Sequence, residues 1–162
     1  MENISKNITY AEAIYSATAL SKGVSNVPNA TELTAMRYVA ANVFEPLRAA
    51  MGEPVKVNSF FRTPQVNALI GGASGSQHMK GEAMDIARQA SSKYTNADLF
   101  WHIHDNLNYD QLIWEMGNDA EPEWVHVSLK PSGNRRQVLQ AYKQSGLTKY
   151  KNFLIEKKRN SH

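Results

Sequence analysis

The chain has 162 residues, 42% of them hydrophobic and 20% charged, which is the composition of an ordinary soluble protein with one cored domain. The net charge is only +3, and no apolar run is long enough to span a membrane as a helix. The absence of cysteine excludes disulfides and thiolate ligands, so any bound metal ion must be held by His, Asp or Glu.

Helices are predicted for the first third of the chain. The pattern over residues 8–22 is typical of a short helix that stops at Gly23. A longer helix is expected after Thr31, which can act as its N-cap, and its apolar positions recur at helical spacing. Pro46 lies inside this helix and should kink it. These helices would cover one side of the core.

The rest of the chain alternates between strands and helices. β-Strands are predicted at residues 55–60, 83–87, 109–115 and 124–129, the last two as a hairpin. Helices are predicted after Thr63, after Thr95 and over residues 134–144. This order indicates an α+β fold with a central, mostly antiparallel sheet that is flanked by helices.

Two histidines and one aspartate form a candidate metal site. His78 and Asp85 lie seven positions apart around a turn at Gly81, and His126 lies on a predicted strand. Two imidazoles and one carboxylate, with a fourth position left for water, are the ligand set of a hydrolytic zinc site. Each residue alone is more often a hydrogen-bonded core or capping residue, so the prediction requires all three to converge.

Four motifs carry a resemblance to a known family. Ser-x-His-x-x-Gly-x-Ala-x-Asp over residues 76–85 is followed by Trp-Val-His-Val-Ser over residues 124–128. The runs Ser-Phe-Phe-Arg-Thr-Pro at 59–64 and Asp-Gln-Leu-Ile-Trp-Glu at 110–115 accompany them. Roughly residues 8–142 resemble the zinc D-Ala-D-Ala carboxypeptidase family of peptidoglycan peptidases, in particular its small, phage-associated branch with a hedgehog/DD-peptidase-like fold.

The resemblance implies that His78, Asp85 and His126 bind zinc and that the protein cleaves an amide bond in peptidoglycan stem peptides, near D-alanine. It also implies that Arg62 donates hydrogen bonds to the substrate carboxylate or to the tetrahedral oxyanion, for which a guanidinium group is well suited. Carboxypeptidase and endopeptidase activity both remain open, as do the roles of phage lysin and cell-wall remodelling enzyme.

Two carboxylates compete for the role of general base, which takes a proton from the attacking water. Glu123 forms a Glu-x-x-His pattern with His126, a spacing that occurs in several relatives. Glu115 ends the neighbouring strand and can lie across the hairpin from Trp124, on the face of His126, if the register is right. Residues three apart on a regular strand face opposite sides, which favours Glu115, but a bulge would restore Glu123.

The C-terminal end of the chain is basic, with six Lys or Arg residues and one Glu from Lys143 to His162. We predict a peptidase domain over residues 1–148 and a solvated basic tail over 149–162. Such a tail attracts polyanions weakly and gives no specific binding of nucleic acid. A binding protein that uses this tail is therefore a weaker hypothesis than an enzyme.

The N-terminus lacks the pattern of a signal peptide, so we expect a protein that is made in the cytoplasm and reaches the cell wall after release. We also expect it to be a monomer. A catalytically inactive, zinc-stabilised binding module of the same fold is the main alternative. The presence of Arg62 and two candidate bases favours the enzyme.

Overall fold

A computed structural model describes residues 2–157 and shows helices packed against a six-stranded sheet. The helices are α1 (Tyr10–Ile14), α2 (Ala17–Lys22), α3 (Ala30–Val39), α4 (Glu45–Met51), α5 (Pro64–Leu69) and α6 (Asn96–Asn106). The strands are β1 (Val55–Ser59), β2 (Ala83–Arg88), β3 (Gln111–Glu115), β4 (Trp124–Ser128), β5 (Gln137–Gln144) and β6 (Leu147–Asn152). A transmembrane helix is not found between residues 2 and 157.

The strand order across the sheet is β1-β2-β4-β3-β5-β6. Every neighbouring pair is antiparallel except β3 and β5, which are parallel. The predicted α+β class and mostly antiparallel sheet are therefore confirmed. The predicted hairpin of β3 and β4 is also present, and it places these two strands in the middle of the sheet.

The core lies between one face of the sheet and the helices. The side chains that point from β2 and β4 into this core are fully buried: Met84, Ile86, Val125 and Val127. Because successive residues of a strand face opposite sides, the residues between them face away from the helices. The second face of the sheet is thus free to carry polar side chains.

The N-terminal helices differ from the prediction in three details. The helix expected over residues 8–22 is interrupted at Tyr15, whose backbone is extended, and α2 begins after Ser16 caps it. The long helix begins two positions earlier than predicted, because Asn29 rather than Thr31 is the N-cap and its Oδ1 accepts a hydrogen bond from Glu32 N. The irregularity expected near Pro46 is a π-helical turn directly before α4. Pro46 has no N–H to donate, which removes one bond of the regular ladder.

The helix predicted over residues 134–144 is wrong, because Gln137–Gln144 form strand β5. This strand pairs in parallel with β3 and forms a hairpin with β6. Ser145 and Gly146 make the two-residue turn, both with positive φ (52° and 76°), which suits the twist of a β-hairpin. Strand β6 runs across residue 148, the position where we predicted the boundary between the peptidase domain and the tail. That boundary stays a prediction. The last part of the expected tail, residues 158–162, lies outside the described residues.

Candidate metal centre

The neighbouring strands β2 and β4 hold two of the predicted ligands side by side. Asp85 of β2 pairs directly with His126 of β4. Directly paired residues on neighbouring strands share a face and lie about 5 Å apart. The two side chains are 17% and 12% exposed, on the face of the sheet that points away from the helices. Sheet pairing therefore determines the relative position of this carboxylate and this imidazole.

A short 3₁₀ turn over Gln77–Lys80 brings the third ligand, His78, onto the same site. The turn is anchored to the segment that follows β1, because Arg62 N donates to His78 O (3.2 Å). Gly81 ends it with φ +73°, and a Cβ atom there would lie 2.5 Å from the backbone oxygen of Glu32. Only glycine fits this close approach to α3, so Gly81 allows the chain to fold back from His78 to Asp85.

The three side chains meet at distances that suit one metal ion. One ligand atom from each lies within 4.8 Å of the others. Asp85 Oδ1 is 3.3 Å from His78 Nε2 and 3.0 Å from His126 Nδ1. Tetrahedral zinc with bonds of about 2.0 to 2.1 Å separates its ligand atoms by about 3.3 Å. Between residues 2 and 157 no other group of three such side chains comes together in this way.

The hydrogen bond on the far side of His78 indicates which ring nitrogen faces the site. Its Nδ1 lies 2.7 Å from the carbonyl oxygen of Phe60, which can only accept, so Nδ1 carries the proton. In the neutral form of the ring, Nε2 carries the lone pair and faces the Asp85 carboxylate at 3.3 Å. Two acceptors at 3.3 Å require a cation between them or a proton on the imidazole. The residues therefore fit a metal ion, and the Phe60 carbonyl orients the ligand.

The surroundings of Asp85 favour the ionised form of its carboxyl group. Burial would raise the pKa of this carboxyl, but the charges and hydrogen bonds of His78 and His126 hold its pKa well below the usual range. An anionic oxygen beside two imidazoles is a donor set that zinc accepts. The sequence prediction that these three residues converge is confirmed.

The two candidate bases differ in burial. The register that favours Glu115 is present, because Glu115 pairs with Trp124 and Ile113 pairs with His126, which places Glu115 on the face of His126. Glu115 is only 6% exposed. Burial raises the pKa of Glu115 to about 7. The charge of His126 lowers this pKa and the charge of Asp85 raises it, but both effects are smaller than that of burial. Glu123 is exposed, and its backbone N–H donates to the carbonyl of Glu115.

Arg62 lies beside the metal centre and is half-buried. Its Nη2 contacts Ser76 Oγ at 3.4 Å, and its buried Nε has no hydrogen-bond partner within residues 2–157. Burial lowers the pKa of the guanidinium group, and the charge of Asp85 raises it. The cation therefore lies close to the ligands, where its charge can stabilise an anion.

A cleft of about 1160 Å³ contains the metal ligands, both candidate bases and Arg62. Trp124 lines this cleft, whereas Trp114 is 1% exposed and packs in the core against Phe100. Asp110 lies outside the metal cluster and forms a bidentate ion pair with Arg135, which anchors the segment between β4 and β5. The cleft also includes residues of β5 and β6, which sequence reasoning missed because it predicted a helix over residues 134–144 and a basic tail from residue 149.

The fold and site define a class of α+β proteins that carry a two-histidine, one-carboxylate metal centre on a sheet. The sequence profile of the family described as Peptidase M15 matches residues 6–128, and the chain belongs to this family. It is 37% identical over 81 residues to a zinc D-Ala-D-Ala carboxypeptidase of Streptomyces albus G. That match covers 49% of this chain and 31% of the relative, so the chain spans about a third of that protein's length.

Proposed function

We propose that this protein is a zinc-dependent peptidase that hydrolyses an amide bond in peptidoglycan stem peptides near D-alanine. The observation that carries the proposal is the convergence of His78, Asp85 and His126, with the buried Glu115 on the same face of the sheet. Membership of the Peptidase M15 family supports the reaction class. The name of the Streptomyces relative supports the substrate class.

His78, Asp85 and His126 would hold the zinc ion. When bound, zinc supplies a Lewis acid that polarises a carbonyl group and lowers the pKa of water. We assign the proton transfer to Glu115, whose carboxylate would take the proton of the attacking water and pass it to the leaving amine. A pKa of about 7 suits this task, since the group can then both accept and return a proton near neutral pH.

Glu123 is the weaker candidate for the base because its side chain is exposed to solvent. Arg62 would stabilise negative charge on the substrate, either on a terminal carboxylate or on the oxyanion of the transition state. Its place in the cleft beside the ligands supports this role. We further propose that the protein acts as a monomer, either as a phage lysin or in cell-wall remodelling.

The test is to incubate the zinc-loaded protein with purified peptidoglycan and to identify the released fragments by mass spectrometry. Free D-alanine would identify a carboxypeptidase, and separated stem peptides would identify an endopeptidase. The matched control is zinc-loaded Glu115→Gln, which should release neither product. If the wild-type protein releases nothing while it retains zinc, the proposal is wrong and an inactive binding module is favoured.

A further inference from the structure

The cleft extends well beyond the metal centre. It runs from the loop around Gly72 and Ser76, across β4 and β3, to the hairpin of β5 and β6. Its volume of about 1160 Å³ exceeds the roughly 300–1,000 Å³ of most small-ligand pockets, and a single terminal amino acid would fill only part of it. The hairpin follows the region that the family profile matches, residues 6–128. Family membership therefore assigns no role to this wall of the cleft.

Strand pairing places Tyr150 in the same row of the sheet as Glu115. Glu115 pairs with Ala141 of β5, and Ala141 pairs with Tyr150 of β6. With strands about 4.8 Å apart, the backbones of Glu115 and Tyr150 are about 10 Å apart, with only a methyl side chain between them. Burial raises the pKa of Tyr150, and the charges of Glu115 and Asp85 raise it further, which agrees with this proximity. Tyr150 is nevertheless 54% exposed, so its ring is accessible from the cleft.

Lys143 lies on the same face of the hairpin, two positions beyond Ala141. It pairs with Thr148, and its Nζ donates to the Thr148 hydroxyl at 2.7 Å. Within residues 2–157 it has no carboxylate partner. Lys149 of the same hairpin does not line the cleft and falls on the alternate side of β6. Lys143 is thus a cation in the cleft wall whose charge no acidic group within residues 2–157 neutralises.

We infer that the hairpin forms a substrate subsite in which Lys143 binds a carboxylate of the peptide while the ring of Tyr150 packs against the segment between that carboxylate and the scissile bond. This inference rests on the proposed function and specifies its substrate as an extended, acidic peptide. Lys143 lies about 7 Å further along β5 than the row of Glu115. The acidic group of the substrate is therefore a few residues away from the bond that is cleaved.

The test compares two synthetic peptides that share the scissile bond and differ only in one carboxylate, which is a carboxamide in the second peptide. Binding to zinc-loaded Glu115→Gln is measured by calorimetry, so that hydrolysis does not interfere. We expect the carboxylate peptide to bind about fivefold more tightly, which corresponds to one charge-assisted hydrogen bond at a partly exposed site. Adding Lys143→Gln should abolish this preference, whereas the matched control Lys149→Gln should retain it.

Tyr150 provides a second, independent measurement. Tyr150→Ala should weaken both peptides by a similar factor, and Tyr150→Phe should retain binding because the ring rather than the hydroxyl makes the contact. Three results would overturn the subsite. The preference for the carboxylate peptide could persist in Lys143→Gln, it could be lost equally in Lys149→Gln, or neither peptide could bind. Failure of the proposed function looks different, since the wild-type protein would then bind the carboxylate peptide without cleaving it. Thermal unfolding of each variant verifies that it is folded.

Discussion

Two carboxylates on one face of the sheet lie in contrasting surroundings. Asp85 is held between two imidazoles, whose charges and hydrogen bonds keep the pKa of this carboxyl low despite burial. Glu115, two strands away, accepts no side-chain hydrogen bond from residues 2–157, and burial raises its pKa to about 7. The comparison shows how one site assigns separate roles to two acids: the ionised one binds the metal, and the protonatable one carries protons.

The largest effect is expected from Asp85→Asn, which removes the anionic ligand with little change in shape. The variant should lose zinc and reduce peptidase activity by roughly 10³-fold or more, because the Lewis acid is lost. Metal content measured by mass spectrometry, together with the hydrolysis rate, checks this prediction. A variant that keeps one zinc ion per chain and full activity would show that Asp85 is not a ligand.

Glu115→Gln should separate the two roles. Because this residue is not a ligand in the proposed site, the variant should retain zinc while its turnover falls by about 10² to 10⁴-fold. The control is Glu123→Gln, at the neighbouring but exposed position, which should keep most of the activity. The opposite pattern, with activity lost only in Glu123→Gln, would transfer the role of base to that residue.

The pH dependence of stability in the zinc-free protein should sharpen the same comparison. The pKa of Glu115 lies above its ordinary value of 4.5, so the folded state binds this proton more tightly than the unfolded state. Its ionisation therefore destabilises the fold as pH rises from about 4.5 to 7, by at most about 3 kcal/mol. Asp85 has the opposite sign, since its lowered pKa gives stability above pH 4 that is lost in acid.

Urea unfolding of the zinc-free protein at pH 5 and pH 8 provides the measurement. Relative to the wild type, Glu115→Gln should gain stability between pH 5 and pH 8, because the amide does not ionise. If the free energy of unfolding differs between the variant and the wild type by the same amount at both pH values, Glu115 titrates normally. The surroundings of the two carboxylates would then be more alike than the structure indicates.

The site could be predicted from the sequence where short-range patterns determine it. The turn at Gly81 and the spacing of His78 and Asp85 are local, and His126 lies on a strand with clear alternation. The general base was harder, because Glu115 and Glu123 are distinguished by strand register and burial. These properties depend on pairing between β3 and β4, which sequence spacing alone leaves open.

The C-terminal hairpin was mispredicted for a physical reason. Val138, Leu139, Ala141 and Tyr142 recur at spacings that a helix also produces, and Gln and Lys are good helix formers. Pairing with β3 on one side and β6 on the other outweighs this local preference. The Ser-Gly pair at 145–146 was the available signal, since this dipeptide between two apolar-containing runs is typical of a two-residue hairpin turn.

Anomalous diffraction at the zinc absorption edge, from crystals of the zinc-loaded protein, tests the metal centre most directly. We expect one strong peak bonded to His78 Nε2, the Asp85 carboxylate and His126, with Glu115 on the same face of the sheet but not bound to the ion. A peak elsewhere in the molecule, or no peak among these three side chains in the presence of zinc, would contradict the proposed chemistry.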